Sequence, residues 1–190
     1  MRRALVMTAV LFCGALIMPA ATAVGAELEG VTMPDTVTID GTDLVLNGMG
    51  LRKKLWVEVY VAGLYLPERT SDPRAAIEAD GPKKVVMHFL TDKATKSKMD
   101  DAWREGFDAN SPETRQSLRR AIETFVDFFG DMKEGDVIEL TMVPGVGTTA
   151  MLNGTEVGVI PRDDFAPALL SVWLGPAPPT EDLKEGMLGG

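Results

Sequence analysis

The apolar residues of this chain change their spacing twice, and that change restricts the fold more than any single motif does. From residue 36 onward, short β-branched and aromatic runs alternate with turn-forming residues: Thr36 to Ile39 before Asp40-Gly41, then Asp43 to Leu46, Leu55 to Leu66, and Lys84 to Leu90. Such runs with such punctuation predict strands and hairpins, with Asn47-Gly48-Met49-Gly50 as one of the turns. A short helix is expected over Asp72 to Asp80, behind Pro73. Met99, Trp103 and Phe107 then recur every four residues, and Leu118, Ile122, Phe125 and Phe129 follow at helical spacing. These predict two amphipathic helices. Ser111 is expected to cap the second, with Pro112 at its first position and Gly130 just past its end. Strand signals return over Val137 to Met142, Thr148 to Leu152 and Glu156 to Ile160, with Asn153-Gly154 as a tight turn. A helix over Asp163 to Leu174 and a short one within Pro179 to Leu188 close the chain. This order predicts an α+β fold, a largely antiparallel sheet with helices covering one face.

The first 26 residues are expected to lie outside that fold. MRRALVMTAVLFCGALIMPAATAVGA has the charged start, apolar run and small residues of a secretory signal peptide, with cleavage after Ala23 or Ala26. Its apolar run is short for a membrane span. The expected organisation is a signal peptide over 1–26 and one domain over 27–190, exported to the periplasm or secreted. Cys13, the only cysteine, falls in the leader, so the domain has no disulfide and no thiol nucleophile. Without Arg2 and Arg3 the chain has 17 basic and 28 acidic residues, a net charge of −11. That balance argues against nucleic acid and anionic membrane surfaces as partners.

Most apparent motifs are explained by turns. Gly145-Val146-Gly147-Thr148-Thr149-Ala150 has the spacing of a dinucleotide-binding loop but leads into strand, not helix, so a β-turn is expected. His88 is the only histidine, which excludes a His-based metal cluster; a hydrogen-bonded structural histidine is expected. Asp131, Glu134 and Asp136 lack the ligand ladder of a calcium loop. No cofactor and no metal are expected.

The remaining candidate is residues 47–66, NGMGLRKKLWVEVYVAGLYL. Strand alternation puts Arg52, Lys54, Trp56, Glu58 and Tyr60 on one face, and Val57, Val59, Val61 and Tyr65 on a core face. Along a straight strand Arg52 and Tyr60 would stand ~27 Å apart. A bend or hairpin near Leu51 to Leu55 would let a guanidinium and a phenol share one anionic oxygen in an apolar pocket. Otherwise Arg52, Lys53 and Lys54 are a solvated strand end.

NGMGLRKKLWVEVYVAGLYL, with DFAPALLSVWLGPAPP later, resembles the chalcone isomerase-like superfamily, most of all its bacterial branch with signal peptides. The resemblance runs from about Thr36 to Gly189 and implies an open-faced β-sandwich, a large antiparallel sheet under a layer of helices. Members of that family cyclise chalcones, bind fatty acids, or have no known catalytic role. Arg52 falls at the family's active-site arginine, and Tyr60 at a threonine of the plant enzymes. Fatty-acid-binding members grip a carboxylate with an arginine and a tyrosine. Thr95 falls where the enzymes carry a catalytic tyrosine, and Ala166 where they carry a hydroxyl residue. The resemblance therefore implies a non-catalytic protein holding a fatty acid or similar amphiphilic anion through Arg52 and Tyr60, with Thr95 as a further pocket residue. The alternatives are an isomerase or lyase acting on a chalcone-like ketone, with Arg52 and Tyr60 as its catalytic groups, and an interaction module with a vestigial pocket.

Overall fold

The computed structural model describes residues 25–113 and 115–190. The expected leader, with Cys13, lies outside the described residues except for Gly25 and Ala26, which open the first strand. Strands β1 (Gly25–Leu28) and β2 (Val31–Pro34) form a separate hairpin. Strands β3 (Thr36–Ile39), β4 (Thr42–Lys54), β5 (Val57–Leu66), β6 (Lys83–Phe89), β7 (Val137–Val143), β8 (Gly147–Leu152) and β9 (Thr155–Ile160) form one antiparallel sheet, each paired with its neighbour in the chain. Helix α1 (Pro73–Glu78) lies between β5 and β6, α2 (Lys96–Asn110) and α3 (Arg115–Val126) between β6 and β7, and α4 (Phe165–Leu174) and α5 (Glu181–Met187) follow β9. The α+β expectation holds, with the helices on one face of a seven-stranded meander.

The periods read from the sequence translate directly into burial. Met99, Trp103 and Phe107 form the buried stripe of α2, and Leu118, Ile122 and Phe125 that of α3. They meet Tyr60, Ala62 and Leu64 of β5 and Val85, Met87 and Phe89 of β6 in the main core. Trp103, Phe107, Phe125, Phe129, Phe165 and Trp173 form its aromatic centre, with ring centroids 5.1–6.4 Å apart in the contacting pairs, the edge and tilted geometries that such rings prefer. Helix α1 starts as its sequence demands: an Asp72 carboxylate oxygen accepts from the amides of Arg74 and Ala75 at 2.8 and 3.1 Å, satisfying donors that the first turn cannot.

Four expectations need correction. Strand β5 is buried on both faces, not one, because the β1–β2 hairpin covers the other side: Met33 packs there with Val61, Tyr65 and Val86. The Tyr65 hydroxyl donates to the carbonyl of Pro34 at 2.9 Å. Ser111 ends α2, its amide donating to the Phe107 carbonyl, and does not start α3.

Asn47 to Gly50 is no turn at all but the middle of β4. Its glycines are needed for close approach, since a Cβ on Gly48 would collide with the carbonyl of Gly186, and one on Gly50 with that of Leu183. Helix α5 thus lies directly on the β4 backbone. Asn47 is buried and pins the arrangement, donating from Nδ2 to the Met187 carbonyl at 2.8 Å and accepting from the Thr70 amide at 2.7 Å. The real turn between β4 and β5 is Leu55-Trp56, with Lys54 paired to Val57.

Candidate functional site

The β4–β5 hairpin supplies the bend that the sequence requires. Its register places Arg52 directly opposite Tyr60, so two residues eight apart in sequence are cross-strand neighbours on one face. A bulge at Val59 follows the pair, because Arg52 matches Tyr60 while Lys53 matches Glu58. The extra residue brings Val59 and Tyr60 side by side, and both line the same cavity.

On its helix-facing side β4 presents Gly48, Gly50, Arg52 and Lys54 in turn. The two glycines sit under α5. Arg52 and Lys54, farther along, line a cavity of about 550 Å³. Its walls are largely apolar, from Val57, Val59, Met87, Met99 and Ala102 to Val172, Pro178 and Pro179. Helix α2, the C-terminal end of α4 and the segment before α5 enclose it over the floor of β4, β5 and β6. Its volume is within the usual range of small-molecule sites.

Most of the polar side chains lining the cavity carry donors, with Glu105 as the one acidic group. The Tyr60 hydroxyl is buried and accepts the indole N–H of Trp173 at 3.2 Å. It makes no other hydrogen bond to the described residues, so its own proton is available. Burial pushes the phenol above its ordinary value, opposed by the Trp173 hydrogen bond and the charge of Arg52. Tyr60 is therefore a neutral donor at physiological pH. Arg52 is half-buried and donates from one guanidinium nitrogen to the Lys53 carbonyl. It makes no ion pair with the described residues, which leaves most of its five N–H donors free. Trp103 also lines the cavity, and its buried indole N–H has no hydrogen-bond acceptor among the described residues. A guanidinium, a phenol and an indole thus border one apolar space with unspent donors, a combination suited to an anionic head on an apolar body.

The structure separates the three cations of the sequence. Lys53 points to the opposite face, where its ammonium pairs with Glu58 at 2.9 Å in a solvated contact. Lys54 stands exposed at the cavity mouth, with Arg52 deeper. Thr95 occupies the N-cap position of α2, is exposed, makes no capping hydrogen bond with its side chain, and is not among the lining residues. Thr91, Ala94 and Lys98 from the same stretch do line the cavity. Ala166 packs at the edge of the main core. His88 belongs to the other sheet face, and its ring makes no hydrogen bond to the described residues, contrary to expectation; burial holds the ring below the usual histidine value.

Sequence reasoning missed Trp173 and Trp103 as site residues. Each sits at helical spacing and reads as core, which it also is; only the fold shows that they meet beside Tyr60. Tyr60→Phe tests this bond without altering the packing. It leaves the Trp173 N–H buried and unpaired, at a cost of ~1–3 kcal/mol, and is expected to lower the melting temperature by ~2–12 °C. In a double-mutant cycle, Tyr60→Phe is expected to cost less in a Trp173→Phe background than in the parent, because the indole N–H it would strand is already gone. A single variant as stable as the parent would show that the bond contributes nothing.

The fold and site together define a class: a helix-covered antiparallel sheet with an apolar pocket, cationic at its mouth. The chain belongs to the chalcone isomerase-like family, whose family model matches residues 25–189. Among curated protein sequences no match is found. Among solved structures, the crystal structure of a fatty-acid binding protein of Arabidopsis thaliana is similar, with a TM-score of 0.65 and 17% identity over 84% of this chain and 92% of that one. At that identity the likeness shows the shared fold.

Proposed function

We propose that this protein is an exported, non-catalytic carrier of a fatty acid or similar amphiphilic anion, gripped at its head by Arg52 and Tyr60. The observation that carries the reading is the cross-strand pairing of these two residues at an apolar cavity, each with free donors and neither neutralised by a carboxylate among the described residues. A carboxylate would take charge-assisted hydrogen bonds from the guanidinium and one from the phenol, while its chain lay along Val59, Met87 and Met99. The fatty-acid binding protein of the same fold supports the choice of ligand. The open cavity speaks against a vestigial, filled interior. Export rests on the N-terminal sequence pattern. Cleavage after Ala23 would keep β1 whole, whereas cleavage after Ala26 would remove two of its four residues.

The test is chemical extraction of the purified protein followed by mass spectrometry. Recovery of a long-chain carboxylate in near-stoichiometric amount is the expected result, with chalcone cyclised no faster than in buffer. Recovery of no amphiphile, or turnover of a chalcone well above the spontaneous rate, sinks the carrier reading; the latter would favour an isomerase using the same two groups.

A further inference from the structure

The β4–β5 turn holds the two most exposed large apolar side chains among the described residues: Leu55 is 81% and Trp56 85% exposed. Turn chemistry does not ask for them. The two-residue turns Glu29-Gly30, Asp40-Gly41 and Asn153-Gly154 all take positive φ at both positions and place glycine second. Here Leu55 itself sits at φ 56°, a region that sterically disfavours a bulky L-residue. A strained, solvent-exposed Leu-Trp pair at a hairpin tip is best explained by what it contacts.

What surrounds the tip says what that contact is. Leu55 lies on the rim of the cavity, and the charged residues lining the same cavity are Arg52, Lys54, Lys93 and Lys98 against Glu105 alone. Lys53, on the opposite strand face, pairs with Glu58 and feels the charges of Glu29 and Asp182, and none of these three acids lines the cavity. The whole chain carries a net charge of −9, which argues against an anionic surface, but the mouth presents the opposite sign. Apolar and aromatic side chains ringed by lysines match the region between headgroups and acyl chains of an anionic bilayer.

We propose that the Leu55-Trp56 tip inserts into the interface of a membrane containing anionic lipid, with Lys54, Lys93 and Lys98 on the lipid phosphates, so that the cavity mouth is seated against the bilayer. The docking depends on the tip and the lysines and not on what the cavity holds.

The experiment is flotation with phosphatidylcholine vesicles, with and without phosphatidylglycerol, alongside tryptophan emission. Trp103 and Trp173 are buried but line the cavity, so the part of any change on adding vesicles that is lost with Trp56→Gly reports Trp56. Binding to the phosphatidylglycerol vesicles is expected, with a blue shift, weakening as salt is raised. Leu55→Asn with Trp56→Gly installs the residue pair that Asn153-Gly154 already uses, so the hairpin is retained while the apolar tip is lost. That double variant is expected to bind at least ~10-fold more weakly at an unchanged or higher melting temperature. Lys54→Glu with Lys98→Glu gives a second loss that does not alter the turn. No binding to either vesicle, or equal binding by the Asn-Gly variant, overturns the proposal. A concentration-dependent dimer that the Asn-Gly variant abolishes also overturns it, since the tip would then be an interface between copies. Fatty-acid affinity is measured separately and without vesicles, so failure here leaves the carrier reading standing.

Discussion

Arg52→Ala is expected to weaken the binding of a long-chain carboxylate by ~10–100-fold, with folding stability changed by no more than about 0.5 kcal/mol. The two expectations have separate causes. In the free protein the guanidinium makes one hydrogen bond, to the Lys53 carbonyl, and pairs with no carboxylate among the described residues. Little native structure is lost with it. In the complex it would supply the charge-assisted hydrogen bonds to the ligand head, and those are the strong ones in a largely apolar site. Arg52→Lys is informative because it keeps the charge but loses the planar fork, so an intermediate loss is expected. Titration calorimetry with palmitate against parent and both variants reads the series. Equal affinities for all three would exclude Arg52 from the site.

Gly50→Ala is expected to cost about 3 kcal/mol and to lower the melting temperature by about 6–12 °C. The added Cβ would run into the Leu183 carbonyl, a backbone atom of α5 that cannot rotate away. Either the helix lifts from β4 or the strand bends, and both loosen the buried contacts of Leu183 and Met187 with the main core. Gly30→Ala is a useful comparison, because there nothing lies within 4 Å of the new Cβ and only the positive φ of 76° opposes it. A Gly50→Ala protein that melts within a degree or so of the parent would mean that α5 does not bear on the strand.

These two positions show what the sequence made legible and what it did not. The strands and helices that face one packed layer announced themselves through their period: Met99-Trp103-Phe107 in α2 and Val137 to Met142 in β7 are where they were expected. Asn153-Gly154 and Asp40-Gly41 were legible as turns because their residues suit the backbone they must adopt. Asn47 to Gly50 misled for the complementary reason. Glycine also serves close backbone approach, and nothing local distinguishes that use from a turn. Leu55-Trp56 was unreadable as a turn because neither residue favours one. The pairing of Arg52 with Tyr60 follows from that turn, so the key geometry of the candidate site depended on the least legible local feature. The resemblance pointed to Arg52 and Tyr60, but the neighbours that hold Tyr60 came only from the fold, since Trp173 is 113 residues away in the chain.

The sheet's topology and the placement of its last helix differ in their entropic demands. Every strand of the meander pairs with its neighbour in sequence, so most of the sheet can grow by closing short loops. The bond from Asn47 to the Met187 carbonyl instead joins residues 140 apart. Loop closure costs about 0.6 kcal/mol for each doubling of length, so sealing α5 onto a loose chain would cost roughly 2 kcal/mol more than closing a ten-residue hairpin. That contact joins residues far apart in the chain, and forming the sheet beforehand would remove most of the penalty. If the sheet forms first, the glycines beneath α5 would serve assembly as well as packing, by giving the helix a flat landing on a strand already in place.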